Sequence, residues 1–446
     1  MLMVSPLFAT KDHTMLFDSL VIQSPKRTPQ GQRGWNVFFP YYAGYPESFA
    51  RALLESANLS KDSVVLDPWN GSGTTTFSAS QLGFASRGFD LNPTMIIVAR
   101  ARLLPPSEAD SLEPLAREIV KGIRADQRIL HSDDPLLWWF EPAAAALIRA
   151  LEYRIRRQLV GERTSTADGV KLDHISGFAA TFYVALFSVC RQLATPFRSS
   201  NPTWTRRPKA DEALIAADRE AILSAFTANV KNMAGALAER AGEPQKDHAI
   251  AQLQLADTTS TAIAKCSIDM VLTSPPYCTR IDYSAATRIE LAVMHPLVDI
   301  KMEDLGRKMI GSTRVPDHDI AVDAAWGTTC GQFVAALKAH PSKASAGYYY
   351  KTHLDYFEKM ARSLTHLADG LKQASAAVLV VQDSYYKDIH NDLPGITTEM
   401  AAAAGLRLRR RVDFEFKRSM AGINPHTRTY KRASGAVEAV LCFEKN

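Results

Sequence analysis

The chain has 446 residues, of which 46% are hydrophobic and 22% charged, the balance of a globular protein with one large domain or two rather than a fibrous or low-complexity chain. A net charge of +5 permits a polyanionic partner without requiring one. Cys190, Cys266, Cys278, Cys330 and Cys442 are scattered with no Cys-x-x-Cys pair, which argues against a zinc site or a disulfide framework and fits a reducing cytoplasm.

Residues 1–35 are broken by Pro25, Pro29, Gly31 and Gly34 and read as an irregular arm over a cofactor site. Lys11, Asp12 and His13 interrupt the early apolar residues, so no signal peptide is expected. Phe38 to Tyr45 is aromatic, and Glu47 to Ala57 reads as a helix with Phe49, Leu53 and Leu54 on one face. Val64-Val65-Leu66-Asp67 is a β-branched run ending in an acid. Pro68-Trp69-Asn70-Gly71-Ser72-Gly73-Thr74 then makes a glycine turn into a helix, the pattern in which a cofactor approaches the backbone closely. A second short strand ends at Asp90, where a nucleotide ribose is commonly held. Met95 to Leu103 reads as helix.

From 105 to 248 the pattern turns helical. Asp110 with Glu113 suggests a capping box, with a helix running on through Ile123. Glu141-Pro142 opens a long helix to about Leu159, followed by helices from Ile175 to Leu193 and from Asp211 to Ala241. Ile175 to Cys190 is free of charge, but it is short for a membrane span and runs into Arg191, so a buried helix is expected. Arg198 to Lys209 is a basic loop containing Trp204, suited to phosphate contact and base stacking or to a solvated face.

The α/β pattern resumes at Ile250 to Asp257. Ser267 to Val271 reads as a buried strand, closed by Leu272-Thr273-Ser274-Pro275-Pro276-Tyr277. Two prolines cannot continue a hydrogen-bonded ladder and make a stiff corner. That corner offers the Ser274 hydroxyl and the Pro275 carbonyl beside an aromatic ring, which suits the amino group of a flat heterocycle. The alternative is a Pro-Pro turn with a core tyrosine. Cys278 next to it reads as a pocket or structural residue. Arg280 to Val293 reads as helix, 300–346 as an irregular substrate loop or lid, Tyr348 to Leu371 as helix, Ala376 to Gln382 as strand and Thr397 to Ala404 as helix. Strands at Leu406 to Phe416 and Ala436 to Phe443 flank a basic loop, read as a nucleic-acid contact or a solvated face.

Taken together, DPWNGSGT, FDLNP and TSPPY resemble the S-adenosylmethionine-dependent amino-group DNA methyltransferases, whose pattern joins a D-P-F-x-G-S-G-T loop, an acid after the next strand and an S/D/N-P-P-Y/F corner. Tyr42-Ala43-Gly44-Tyr45-Pro46 resembles the motif that precedes the loop, although the lysine often found there is Gly44. The resemblance implies a doubly wound, mostly parallel, seven-stranded Rossmann-like α/β sheet with a large helical insertion. Residues 1–104 would hold the arm and the cofactor-binding half, 105–248 the insertion and a candidate DNA-recognition region, and 249–446 the catalytic half. It further implies that Asp67 and the Gly71–Gly73 loop hold the methionine end of the cofactor, Asp90 the ribose and Asp257 the adenine, with Tyr42, Trp69 and Thr74 completing that set. Ser274, Pro275, Pro276 and Tyr277 would hold a flipped base. Arg198, Trp204, Arg206, Arg207, Arg280, Arg409, Arg410 and Arg428 are candidate contacts to double-stranded DNA. No metal, covalent intermediate or membrane is implied.

In that family Ser at the first corner position goes mostly with cytosine N4, so N4-methylcytosine is the expectation, in a restriction-modification or phage-defence setting with an endonuclease or defence partner. A hydroxyl donating to the ring N3 is the physical rationale. N6-adenine methylation, an RNA or protein-glutamine amino-methyltransferase, and a non-catalytic DNA-binding subunit are the alternatives.

Overall fold

The computed structural model describes residues 14–27, 37–41, 43–123, 129–160, 165–166, 169–199, 204–240, 250–278, 282–298, 301–416 and 436–446. Its centre is a seven-stranded sheet built from β1 (Val64–Asp67), β2 (Ala85–Asp90), β3 (Ala251–Leu255), β4 (Ile268–Thr273), β5 (Leu371–Gln382), β6 (Leu406–Phe416) and β7 (Ala436–Lys445). The order across the sheet is β6-β7-β5-β4-β1-β2-β3. Only β7 runs against the rest, pairing antiparallel with both β5 and β6, so the expected mostly parallel α/β sheet is present.

Parallel strands covered on both faces read as continuous apolar runs, and the two faces separate by alternation. Val65, Met270, Leu272, Val378, Val380 and Val440 pack on one face with Phe49, Leu53 and Leu54 of α2 (Glu47–Ser56) and Ala79 of α3 (Thr74–Gln81). Their alternates Leu66, Val271, Leu379, Val381 and Leu441 pack on the other, under α12 (Thr328–Ala339), α13 (Tyr350–Gly370) and α14 (Leu393–Ala403). Full burial of such a side chain contributes about 1.5–3 kcal/mol. A one-residue slip would exchange the two sets, setting each against helices packed for the other, which fixes the register.

Between β2 and β3 the chain forms α4 (Pro93–Arg102), α5 (Ala109–Val120), α6 (Pro142–Ile155), α7 (Gly177–Leu193) and α8 (Arg219–Glu239). The charge-free run is α7, buried from Ala179 to Phe187 because α4, α6 and α8 surround it. Among the described residues no helix is long and apolar enough to cross a membrane. Several expected boundaries move. Asp110 lies inside α5, which is entered through a 3-10 turn at Pro106–Glu108 and carries no side-chain cap. α8 begins only at Arg219, capped by Asp218, because Ile215 is drawn into a bridge with Phe140. The helix expected at 280–293 is two pieces, α9 (Tyr283–Ala286) and α10 (Arg288–Met294). The segment read as irregular at 300–346 contains α11 (Met302–Lys308) as well as α12. Gly306, Gly327 and Gly331, in or beside these helices, hid both, since each helix is short and buries only a few residues.

The first described helix, α1 (Thr14–Ser19), lies against β6, and the arm then follows α2, where the Val21 amide donates to Ser56.

Candidate active site

In doubly wound sheets ligands sit beyond the carboxyl ends of the strands where the winding reverses, here between β1 and β4. A cleft of about 990 Å³, counting its open mouth, occupies that place. Asp67, Trp69, Gly71 and Thr74 from the glycine loop line it, with Asp90 and Asp257 after the next two strands and Ser274 to Tyr277 from the corner. Tyr42 lies outside the described residues, and its neighbour Tyr41 lines the wall.

The loop's conformation is dictated by contact. Gly71 and Gly73 have φ of +49° and +79°, in the left-handed region that favours glycine. A Cβ on Gly73 would also stand 2.7 Å from that of Ala99, so this glycine allows α3 to approach α4 rather than facing the cleft. Gly88 in β2 likewise makes room for the Asn70 side chain, 2.6 Å from where a Cβ would be.

The acids brace the loop. Asp67 accepts from the Trp69 amide (3.1 Å), the Thr273 hydroxyl (2.6 Å) and the Thr75 hydroxyl (2.6 Å), which ties the ends of β1 and β4 together. Asp90 accepts from the amides of Gly71 (2.9 Å) and Asn92 (2.8 Å). Asp257 spends one oxygen on the amide and hydroxyl of Thr259 (2.9 and 2.7 Å), and among the described residues its other oxygen has no partner. Burial raises the carboxyl of Asp67 to about 6 and that of Asp90 to about 7, against the pull of those hydrogen bonds. The indole N–H of Trp69 is buried, and among the described residues it has no acceptor.

The corner is held on every side. The Tyr356 hydroxyl donates to the Pro276 carbonyl (2.8 Å), and the Tyr277 amide donates to the Tyr283 hydroxyl (3.1 Å). The Tyr277 phenol donates to Glu438 on β7 (3.1 Å), while Tyr45 and Thr75 reach the Leu272 carbonyl (3.2 and 3.1 Å). Nothing among the described residues donates to the Pro275 carbonyl. The Ser274 hydroxyl donates to the Val380 carbonyl (3.1 Å). Its proton is engaged there, and the hydroxyl also hydrogen-bonds with the Tyr277 phenol, so the geometry favours an acceptor role over donation to a ring nitrogen. Cys278 packs among apolar residues under the sheet, and burial pushes its thiol well up, so it is structural.

The candidate DNA contacts divide. Arg207 stays exposed, stacks over Trp138 at 3.1 Å from the ring centre, and lies within electrostatic reach of Arg288 at the start of α10. Arg198 is exposed and Trp204 half-buried in the same turn. Arg206 is gripped by both oxygens of Glu212 (2.5 and 2.6 Å). Arg409 pairs with Glu444, and Arg410 donates to the Phe17 and Leu20 carbonyls (2.9 and 3.0 Å). Glu444 lies six residues along β7 from Glu438, roughly 20 Å at the strand rise, so this cluster is at the opposite end of the sheet from the corner. In this structure Arg409 and Arg410 fasten the edge strand and the arm. Arg280 and Arg428 lie outside the described residues.

Sequence reasoning passed over Lys308, Met309 and Ile310, which line the cleft at the end of α11 and just beyond it. Their signal was the basic Arg307-Lys308 pair preceding two apolar residues in a polar stretch. Among the described residues no group of His, Cys, Asp or Glu is arranged to hold a metal ion.

No family model matches the chain. Over 300 residues it is 22% identical to the type II methyltransferase M.BsoBI of Geobacillus stearothermophilus, a stretch covering 64% of this chain and 56% of that protein. The chain thus spans little more than half the length of the curated relative it matches.

Proposed function

We propose that this chain is an S-adenosylmethionine-dependent DNA methyltransferase acting on the exocyclic amino group of a base, cytosine N4 in preference to adenine N6. The observation that carries the reading is the meeting, in one cleft, of a free Pro275 carbonyl and an acceptor Ser274 hydroxyl with a glycine loop and three strand-end acids. The similarity to a type II methyltransferase supports it and makes a restriction-modification setting, with an endonuclease partner, the natural context.

The residues fit the cofactor. Asp257 keeps one oxygen for an adenine amino group, Asp90 keeps lone pairs for ribose hydroxyls, and the buried Trp69 indole N–H offers a donor. When bound, S-adenosylmethionine supplies an electrophilic methyl group on a sulfonium. The chain's own part is orientation. An aromatic amine is a poor nucleophile because its lone pair is delocalised into the ring. Ser274 and Pro275 accepting both N–H bonds turn that lone pair toward the donor, a preorganised contact worth on the order of a few kcal/mol. Glu438 and Tyr283 fix Tyr277, which would stack on the base. The corner lies inside a cleft, so a duplex base must flip out to reach it. Arg207, Arg288 and Lys308 would hold the flanking phosphates. With Ser274 acting as acceptor, the preference for cytosine rests on the residue found at that position in the resembling family.

The test is incubation with labelled S-adenosylmethionine and duplex DNA, RNA and protein in parallel, followed by nucleoside analysis. N4-methylcytosine in DNA is expected. N6-methyladenine alone would replace cytosine by adenine, and label only in RNA or protein would overturn the DNA assignment.

A further inference from the structure

Arg27, in the arm, points into the molecule. Its Nη1 donates to the Tyr41 carbonyl (2.8 Å), its Nε and Nη2 to the Tyr45 carbonyl (3.3 and 3.2 Å), and Nη2 also reaches the Thr74 hydroxyl (3.5 Å). Every acceptor is a neutral oxygen. Among the described residues no acid pairs with Arg27, and one of its five N–H groups has no acceptor. Burial and the nearby Arg102 lower its pKa to about 10, the mark of a cation held without an opposite charge.

The surroundings are already positive. Arg102 is almost fully buried and reaches the same Thr74 hydroxyl (3.2 Å), and its carboxylate partner is Glu47, half-exposed at 43%. Thr74 begins α3, whose amino end adds a partial positive charge. Tyr41, Tyr45 and Thr74, the residues Arg27 touches, all line the cleft. Gly44 lines it too, with φ of +90°, a backbone conformation that a lysine would adopt only under strain. A cation for this end of the cleft is therefore better supplied from elsewhere in the chain.

We propose that Arg27 is the cationic partner of the cofactor's methionine carboxylate, so that the amino-terminal arm completes the cofactor site by charge. The inference rests on the S-adenosylmethionine reading above. The order of strand ends supports the orientation. Asp257 follows β3, Asp90 follows β2, and Thr74 with Arg27 lies beyond β1. A ligand with its adenine at the β3 end and its ribose in the middle brings its amino-acid group to the β1 end, where Asp67 can meet the ammonium and the cations the carboxylate. Arginine's planar fork suits a carboxylate held by two parallel bonds.

Calorimetry on the full chain tests this with two ligands. S-adenosylhomocysteine carries the carboxylate, and 5′-methylthioadenosine has the same nucleoside without the amino-acid group. Arg27→Ala should weaken S-adenosylhomocysteine about 10- to 100-fold, the loss expected for a charge-assisted bond, and leave 5′-methylthioadenosine within about twofold. Arg27→Lys should recover part of the loss, and it serves as the readout if the alanine variant does not fold. Equal weakening of both ligands would make Arg27 a strut for the Tyr41–Tyr45 segment and overturn the proposal. Unchanged binding of both, or wild-type protein that binds both equally, would also overturn it while leaving the cofactor reading in place. Wild-type protein that binds neither ligand would overturn that reading and this inference with it.

Discussion

Charge is buried in two regions of this molecule, and the two treat it differently. In the helical insertion every principal buried charge meets its opposite. Arg149 binds Asp134 (2.8 Å) and lies 3.9 Å from Glu152, while Arg191 pairs with Glu290, which is fully buried. In the cleft Asp67, Asp90 and Asp257 are held by amides and hydroxyls, and behind its wall Arg27 is held by the Tyr41 and Tyr45 carbonyls. Neutral partners satisfy hydrogen bonds but leave net charge, which a ligand of complementary charge or polarity can answer. The insertion's pairs instead fasten helices. Arg149 donates to the Ala292 and Val293 carbonyls at the end of α10 (3.0 and 2.8 Å), and Arg191 reaches the Ala286 carbonyl (3.2 Å). Both arginines thus lock the insertion to the two helices that follow the corner, one of which carries Tyr283. Uncompensated charge marks the site, and compensated charge marks the scaffold.

Breaking a compensated pair should have the largest effect. Arg149→Met strands Asp134 in an apolar interior, while Glu152 keeps Arg156 and Tyr183, and should cost about 3–5 kcal/mol of stability in denaturant unfolding. Replacing Asp134 as well should return part of that loss, because less charge is left unpaired. A stability loss under about 1 kcal/mol for Arg149→Met would mean that water or relaxation solvates the acids and would blur the distinction between the regions.

Next comes the corner. Ser274→Ala should lower the rate of methyl transfer about 10²- to 10³-fold, the range for one preorganised contact. Stability and affinity for S-adenosylhomocysteine should stay close to wild type, since the hydroxyl's contacts are the Val380 carbonyl and the Tyr277 phenol and its proposed ligand contact is the base. Single-turnover transfer of labelled methyl is the measurement. An equal loss of cofactor affinity would place Ser274 in the cofactor half of the cleft.

Asp257→Asn probes an acid with a free oxygen. The amide can keep its acceptor toward Thr259 and would present N–H where the carboxylate presented an oxygen. Affinity for S-adenosylhomocysteine should fall by about 1–3 kcal/mol, the cost of a polar group left unmatched, with no comparable change in unfolding. A loss of stability of similar size would assign Asp257 to the scaffold.

Most of the sheet was legible in the sequence because its strands are buried on both faces and read as unbroken apolar runs, as Val64 to Asp67 and Ser267 to Val271 do. The loop and the corner were legible because glycine and proline impose backbone geometry wherever they stand. What escaped was tertiary. Asp211 to Asp218 reads as helix by composition, yet Ile215 pairs with Phe140 and holds the segment extended. Arg206, Arg409 and Arg410 read as free charge because Glu212 and Glu444 become their partners only in the fold, and the same holds for the carbonyls of Phe17 and Leu20. Arg27 gave no signal of its own, since a basic residue between two prolines has many meanings until its neighbours are known.

The smallest expected effect is one of pH, and in the cleft it gives stability and affinity opposite signs. Burial raises the carboxyl of Asp90 from an ordinary 3.8 to about 7, with the nearby Asp67 charge adding to the rise. Between those values the folded state holds a proton that the unfolded chain has released. This group's contribution to stability is therefore greatest below about 4 and is lost as pH rises toward 7. Ribose hydroxyls donate to the ionised form, so ligand binding favours release of that proton. Affinity for S-adenosylhomocysteine should rise about tenfold from pH 6 to pH 8 and level off above, a change equivalent to about 1.4 kcal/mol. Asp90→Asn should flatten that rise. For Asp90, then, stability and affinity should move in opposite directions over this range. An affinity independent of pH in the wild-type protein would mean that Asp90 is already ionised in the free protein, and that the Gly71 and Asn92 amides outweigh its burial.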